Sequence, residues 1–279
     1  MIHQAEIEFI QTHAYVPEHL VSYISAISGA EPFLFDNYLC CSKDEVLIFI
    51  GYPLGVPFRE KEAKAILDKA VKKLKPHIIS LIAPAIEKQL GTITQRSSDQ
   101  YYRLSLDSFA PTTTVKNMVR RASRELAVER GNRWGKEHDG LISEFLAAHH
   151  VSPETAGIFH RIPYYIAASQ TVILLNARTW EGSLIAFDVA DFGSKDYLFY
   201  MFNFASRRHY VPGASDLLLS EVVGIAREQG KKFVNLGLAI NEGVTFFKKK
   251  WGGVPFLGHE LLVCEASRAG IIDSLLGRL

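Results

Sequence analysis

The chain has 279 residues, 48% hydrophobic and 22% charged, which is enough apolar material for two modest cores or one large one. A formal net charge of +1 argues against a uniformly basic nucleic-acid coat and leaves room for a local basic face. Cys40, Cys41 and Cys264 show no Cys-x-x-Cys spacing and are odd in number, so buried thiols are expected rather than a disulfide framework.

The opening MIHQAEIEFIQTH carries two glutamates and no basic region ahead of an apolar core, so it does not read as a secretory signal. The apolar runs Val46 to Phe58 and Ile78 to Ile86 are too short, or too interrupted by Pro and Gly, to span a bilayer. The cytoplasm is the expected compartment.

Strands are predicted near Tyr38 to Ser42 and Val46 to Tyr52, then a helix from Arg59 to about Lys75, with Ala63, Ile66, Leu67, Ala70 and Leu74 on one face. Further strands follow near Ile78 to Ile82 and Tyr101 to Leu106. From Thr114 to Lys136 the pattern predicts one basic connecting helix. Val115, Met118, Val119, Ala122 and Leu126 make its apolar stripe, while Lys116, Arg120 and Arg124 stack at i+4 on another face and Arg121, Arg130, Arg133 and Lys136 add charge. Such a face suits phosphates; a solvated surface partly compensated by Glu125 and Glu129 fits the same pattern.

Two helices are predicted near Leu141 to His150 and Pro153 to Tyr165, then strands near Thr171 to Ala177, Ser183 to Val189 and Tyr197 to Phe204, with Trp180-Glu181-Gly182 as a turn. The stretch Tyr210 to Gly253 then reads as one βαβα unit with its joints marked. Pro212 and Gly213 break the preceding strand, and Ser215 and Asp216 suit a helix N-terminus, where free N–H groups favour anions. Leu218, Val222, Ile225 and Ala226 form the buried face, Gly230 stops the helix, and Phe233 to Leu238 is an apolar strand. Asn241 caps a last helix in which Phe246 and Phe247 are expected to face inward and Trp251-Gly252-Gly253 closes the unit. At the C-terminus, Ile271, Ile272, Leu275 and Leu276 are spaced to pack on the core or on a second copy.

This last helix resembles that of the GNAT acyltransferase superfamily, N-x-x-A-x-x-F-Y-x-K-x-G-F, with Asn241, Val244, Phe247, Lys250 and Gly252 at the first, fourth, seventh, tenth and twelfth positions. Two departures stand out. Lys248 occupies the place of the usual Tyr general acid, and the family's phosphate loop [QR]-x-x-G-x-[GA] becomes Tyr210-Val-Pro-Gly213-Ala214-Ser215. Gly213-Ala-Ser-Asp216-Leu-Leu, Asn235-Leu-Gly237-Leu-Ala239 and Phe247-Lys248-Lys-Lys250-Trp251 are similar to the soluble domain of phosphatidylglycerol lysyltransferases and to the Fem peptidyltransferases.

The resemblance covers about forty residues well and implies an α/β (α+β) protein of two GNAT-like halves, each a mixed, mostly antiparallel sheet flanked by helices. It divides the chain into a degenerate half 1–112, the basic helix 113–137 and an acyltransferase half 138–279, and no repeat at the residue level marks the duplication. An acyl or aminoacyl transferase is implied, with aminoacyl-tRNA favoured as donor, acyl-CoA the alternative, and a lipid, peptide or small molecule as acceptor. No tightly bound cofactor is expected. A binding protein that has lost the chemistry is the remaining alternative.

Acyl transfer needs a neutral amine nucleophile, a proton acceptor and positive charge near the oxyanion. Lys248 is the expected source of that charge, with a plain surface lysine as its alternative, since residues 248 to 250 are separated by about 100° each on a helix. Asp216 is a candidate for orienting the amine, against a simple helix N-terminal acid, and Tyr210 for relaying a proton. Arg207, Arg208, Gly213, Ala214, Ser215, Asn241 and Phe247 form the expected donor site, with Lys116, Arg120 and Arg124 as its basic face. Asp188, Asp191 and Asn203 suit polarising the nucleophile. No G-x-S-x-G, G-x-x-x-x-G-K-[ST] or G-x-G-x-x-G motif is present, and no metal is expected.

Overall fold

A computed structural model describes residues 2–86 and 91–266; the predicted apolar stripe at Ile271 to Leu276 lies outside them. Two helices open the chain, α1 (Gln4–His13) and α2 (Val21–Ser28), and neither is marked in the sequence reading. A meander follows: β1 (Glu31–Phe35), β2 (Tyr38–Lys43) and β3 (Val46–Ile50), antiparallel throughout. Its turns use Asp36 and Asp44 at φ 51°, a region that Asp tolerates through local hydrogen bonding. Helix α3 (Glu60–Leu74) then crosses over to β4 (Ile78–Ala83), which runs parallel to β3, and Ala63, Leu67 and Ala70 of α3 are buried.

The second half repeats this plan. Helices α5 (Lys136–Ala148) and α6 (Pro153–Ala168) precede an antiparallel meander of β7 (Val172–Thr179), β8 (Leu184–Asp191) and β9 (Tyr197–Ala205). Helix α7 (Ala214–Glu228) crosses to β10 (Phe233–Leu238), parallel to β9. Gly230, at φ 64°, ends α7 as its position predicts. The buried side of α7, from Leu218 to Ala226, packs on this sheet at 0–4% exposure, which supplies much of the hydrophobic stabilisation of the half.

The halves share one mixed sheet, with strand order β1-β2-β3-β4-β11-β5-β10-β9-β8-β7-β6. Its pseudo-twofold lies between β5 (Thr92–Ser105) and β11 (Val254–Glu265). Each half lends its closing strand to the other: β5 pairs antiparallel with β10, and β11, which follows helix α8 (Glu242–Lys250), pairs antiparallel with β4. The duplication that leaves no trace in residue identity is therefore present in topology, and a cut in sequence near residue 112 does not cut the sheet.

The connecting segment corrects the sequence reading. Helix α4 spans only Thr113–Ala122, capped by the Thr112 side chain, and the chain then forms β6 (Leu126–Gly131) against β7. Leu126 continues the helical stripe at i+4 from Ala122 and also opens a strand alternation with Val128, and pairing with the open edge of β7 decides between them. The stack Lys116, Arg120, Arg124 is thereby broken, with Arg124 beyond the end of α4. No helix among the described residues is long and apolar enough to cross a membrane.

Candidate functional site

The sheet opens next to α7. Strands β9 and β10 pair only over Tyr197–Phe199 with Phe233–Asn235, then diverge, leaving a wedge whose sides are Tyr200 onward and Leu236 onward. Lys248 fills it from α8. Its ammonium group donates to the Leu238 carbonyl, and the side of Gly237 faces both Lys248 Nζ, 3.6 Å from an ideal Cβ position, and the Tyr200 carbonyl at 3.7 Å. The residue is 3% exposed, so it is not the surface lysine of the alternative reading. Burial pushes its pKa down to about 7, against the opposing pull of Asp99. The helical twist sends its neighbours elsewhere: Lys249 to solvent and Lys250 to Asp216.

Asp216 does not act as a solvated helix-terminal acid. It is 4% exposed, and its Oδ1 accepts from Lys250 Nζ at 2.6 Å and from Trp251 Nε1 at 2.8 Å, tying α7 to the end of α8. With both donors present its charge is already answered. Lys250 Nζ also lies 4.9 Å from the Phe247 ring centroid, so Phe247 packs partly on the core and partly on this cation. Phe246, expected inward, is 70% exposed, because the three-residue offset to Lys249 puts it on the outer face.

The loop before α7 is held from α5. Glu144 Oε1 accepts from the amides of Arg207 at 2.6 Å and Arg208 at 2.8 Å, leaving both arginine side chains exposed. Tyr210 is exposed too, at the rim of a cavity of about 190 Å³ lined by Met118, Ala205, Gly213, Ala214, Phe247 and Lys250 among others. Gly213 precedes α7 at φ 88°, and a Cβ placed there would lie 2.5 Å from the Met118 carbonyl oxygen. The surviving glycine of the phosphate-loop pattern is therefore required for close packing of α4 on α7. Ser215 turns inward and donates to Asn203 Oδ1 at 2.9 Å instead of capping the helix, and Asn241 Oδ1 caps α8 by accepting from Val244 N at 2.9 Å.

A buried polar chain continues from Ser215. Asn203 Nδ2 donates to Asp188 Oδ1 at 2.5 Å, and Asp188 is fully buried. Desolvation raises its pKa well above the ordinary carboxylate range, although Asn203 and Tyr200 pull the other way. Asp188 Oδ2 and the Tyr200 hydroxyl are buried and lack a hydrogen bond of good geometry, and burial first, with the neighbouring Asp188 second, raises the phenol's pKa well above its ordinary value. Nothing in the sequence marks Tyr200. Asp191, by contrast, is consumed structurally: it accepts from Tyr165, Ser169, Thr171 and the Gly193 amide.

Of the basic face, Lys116 and Arg120 stay exposed beside a groove of about 400 Å³ between α4 and α7, which Arg227 also lines. Arg124 contributes its backbone carbonyl to Trp180 Nε1, and Arg130 is spent on Glu221 and Glu228. Among the described residues no cluster of three or more His, Cys, Asp or Glu side chains is arranged to hold a metal ion.

No protein-family model matches the chain, and no curated protein matches it. Solved structures do. The chain is similar to L-PGS from Bacillus licheniformis, at 15% identity over 99% of this chain and 96% of that chain, with a TM-score of 0.60. It is similar to FemX at 12% identity over 92% and 95%, with a TM-score of 0.59. A tandem GNAT protein from the clavulanic acid biosynthesis pathway matches at 11% identity over 82% and 78%, with a TM-score of 0.51. The chain has the tandem-GNAT fold. In this tandem-GNAT arrangement the second half keeps the wedge and the buried Lys248, whereas strands β3 and β4 of the first stay paired from Val46–Ile78 to Ile50–Ile82.

Proposed function

We propose that this protein moves an acyl or aminoacyl group to an amine or hydroxyl acceptor, with aminoacyl-tRNA as the donor. The observation that carries the reading is Lys248, an ammonium group buried at the β9–β10 wedge and brought to a pKa of about 7 by desolvation. A lysine that exchanges its proton near neutrality suits both halves of the reaction. As the acceptor amine attacks the donor ester, its nitrogen bonds to the acyl carbon and Lys248 takes the proton. As the C–O bond breaks, the same proton passes to the departing ribose oxygen. The motif resemblance to transferases that use charged tRNA, the exposed Lys116 and Arg120 beside the α4–α7 groove, and the packing of Met118 on Gly213 all favour this donor over a nucleotide thioester.

The wedge itself favours a second reading, acyl-CoA-dependent N-acylation, because parted parallel strands are what the GNAT resemblance implies for an acyl-CoA arm. Calorimetric and thermal-shift titrations with acetyl-CoA, free coenzyme A and a charged tRNA mixture separate the two. Salt-sensitive tRNA binding without coenzyme A binding supports the first, saturable coenzyme A binding the second, and silence from both a fold that has lost its donor.

A further inference from the structure

Strand β5 belongs by sequence to the first half, yet it reaches the wedge of the second. Asp99 sits on β5 where β10 ends, and its carboxylate grips the turn into α8: Oδ1 accepts from the Ala239 amide at 3.1 Å and Oδ2 from the Ile240 amide at 2.9 Å. That turn is conformationally costly. Ile240 is a β-branched residue at φ 60°, in the left-handed region, and 72% exposed, so its own side chain contributes little to holding it there. The residue just before the gripped pair is Leu238, whose carbonyl receives the Lys248 ammonium group. Asn241, just after the pair, caps the helix that carries Lys248.

We infer that Asp99 is a positioning residue for Lys248, so that the strand lent by the first half completes the site of the second. The inference rests on the transferase reading above for its meaning and on the geometry of the turn for its substance. Asp99 acts in two ways. It fixes the Leu238 carbonyl, the only hydrogen-bond acceptor of Lys248 Nζ among the described residues, and it supplies the negative charge felt by that ammonium group. The remaining groups facing Lys248 do not supplant it. The adjacent β9 presents the Tyr200 carbonyl across Gly237, Asp216 of α7 is paired with Lys250, and Lys249 on the same helix is exposed.

The test needs no substrate. In wild-type protein, the pH dependence of Lys248 acylation by acetic anhydride, read by mass spectrometry with Lys249 as internal reference, has its midpoint near 7. Asp99→Asn keeps one of the two acceptors for the turn, presents an NH2 donor in place of the other and loses the charge, so the midpoint moves to lower pH by about one unit. An unchanged midpoint, or one that moves to higher pH, overturns the inference. Should the variant fail to fold, amide hydrogen exchange on the wild type decides at Ile240, since the Ala239 amide is also shared with the Gln100 carbonyl: a protected Ile240 amide supports the grip, and exchange as fast as that of open loop amides overturns it. Aminoacyl transfer assayed in parallel on the wild type separates the two claims, since an acid-shifted midpoint in the variant together with no transfer by the wild type overturns the transferase reading and leaves the positioning intact.

Discussion

Lys250 and Asp216 form a largely buried ion pair at 2.6 Å whose acid also takes the Trp251 indole N–H, so a single carboxylate locks the start of α7 to the end of α8. Loss of either partner is not symmetrical. Lys250→Ala leaves a carboxylate that is 4% exposed with only a neutral donor, and a destabilisation of about 2–3 kcal/mol is expected from urea denaturation. Asp216→Asn keeps an acceptor for the indole and leaves Lys250, at 17% side-chain exposure, able to reach water, so it costs less. An Asp216→Asn loss larger than that of Lys250→Ala contradicts the assignment.

Lys248 makes stability depend on pH in a defined direction. Its pKa is about 7 when folded and about 10.4 when unfolded, so between these values the unfolded chain binds the extra proton and stability rises with pH. Below pH 7 both states are protonated and the desolvation penalty is felt in full. Relative to Lys248→Met, which buries no charge, the wild type is expected to gain up to about 1.4 kcal/mol per pH unit across that window. Denaturation curves at pH 6, 8 and 9 check this, and under the proposed function the same variant is expected to lose acyl transfer at every pH.

Much of this was legible where local pattern and tertiary demand coincide. From Tyr210 to Gly253 the capping Asn241, the stopping Gly230 and the buried face of α7 stand as the residues predict. Strand β6 was not legible, because Leu126 closes the helical stripe as well as it opens a strand, and only the edge of β7 decides. The first part of β5, Thr92 to Ser98, is exposed on both faces and carries no strand alternation; it forms because β11 arrives from the far end of the chain to pair with it. Asp99 and Tyr200 were hidden for the same reason, since their importance lies in long-range contacts. Asp216 stands in the first turn of α7 as the residues predict, but its burial was not legible, because the indole and ammonium groups that cover it come from α8 and the residue that follows it.

Gly213 is predicted to be intolerant of any side chain. Alanine there adopts an unfavourable φ of 88° and brings Cβ within 2.5 Å of the Met118 carbonyl oxygen, a backbone atom that cannot rotate away. Helix α4 must shift, at a cost of about 1–3 kcal/mol. Gly224, where an added Cβ meets nothing within 4 Å, is the control: Gly224→Ala in the middle of α7 should stabilise by about 0.5–1 kcal/mol. Thermal denaturation of the two variants gives opposite signs if the packing of α4 on α7 is as described.

The broken basic stack yields a prediction that a continuous helix does not. Lys116 and Arg120 remain side by side on α4 beside the groove shared with Arg227, whereas Arg124 lies past the helix end, next to the Trp180 indole that binds its carbonyl. If phosphates of a nucleic-acid donor lie along α4, Lys116→Gln and Arg120→Gln each weaken tRNA binding and lower the slope of log affinity against log salt by about 1, whereas Arg124→Gln leaves the slope near its wild-type value. Equal losses at all three positions indicate a diffuse field instead of a groove, and no loss at any of them removes α4 from the donor site. The contrast depends on Arg124 being displaced by the start of β6, so the salt titration tests the fold of this segment together with its function.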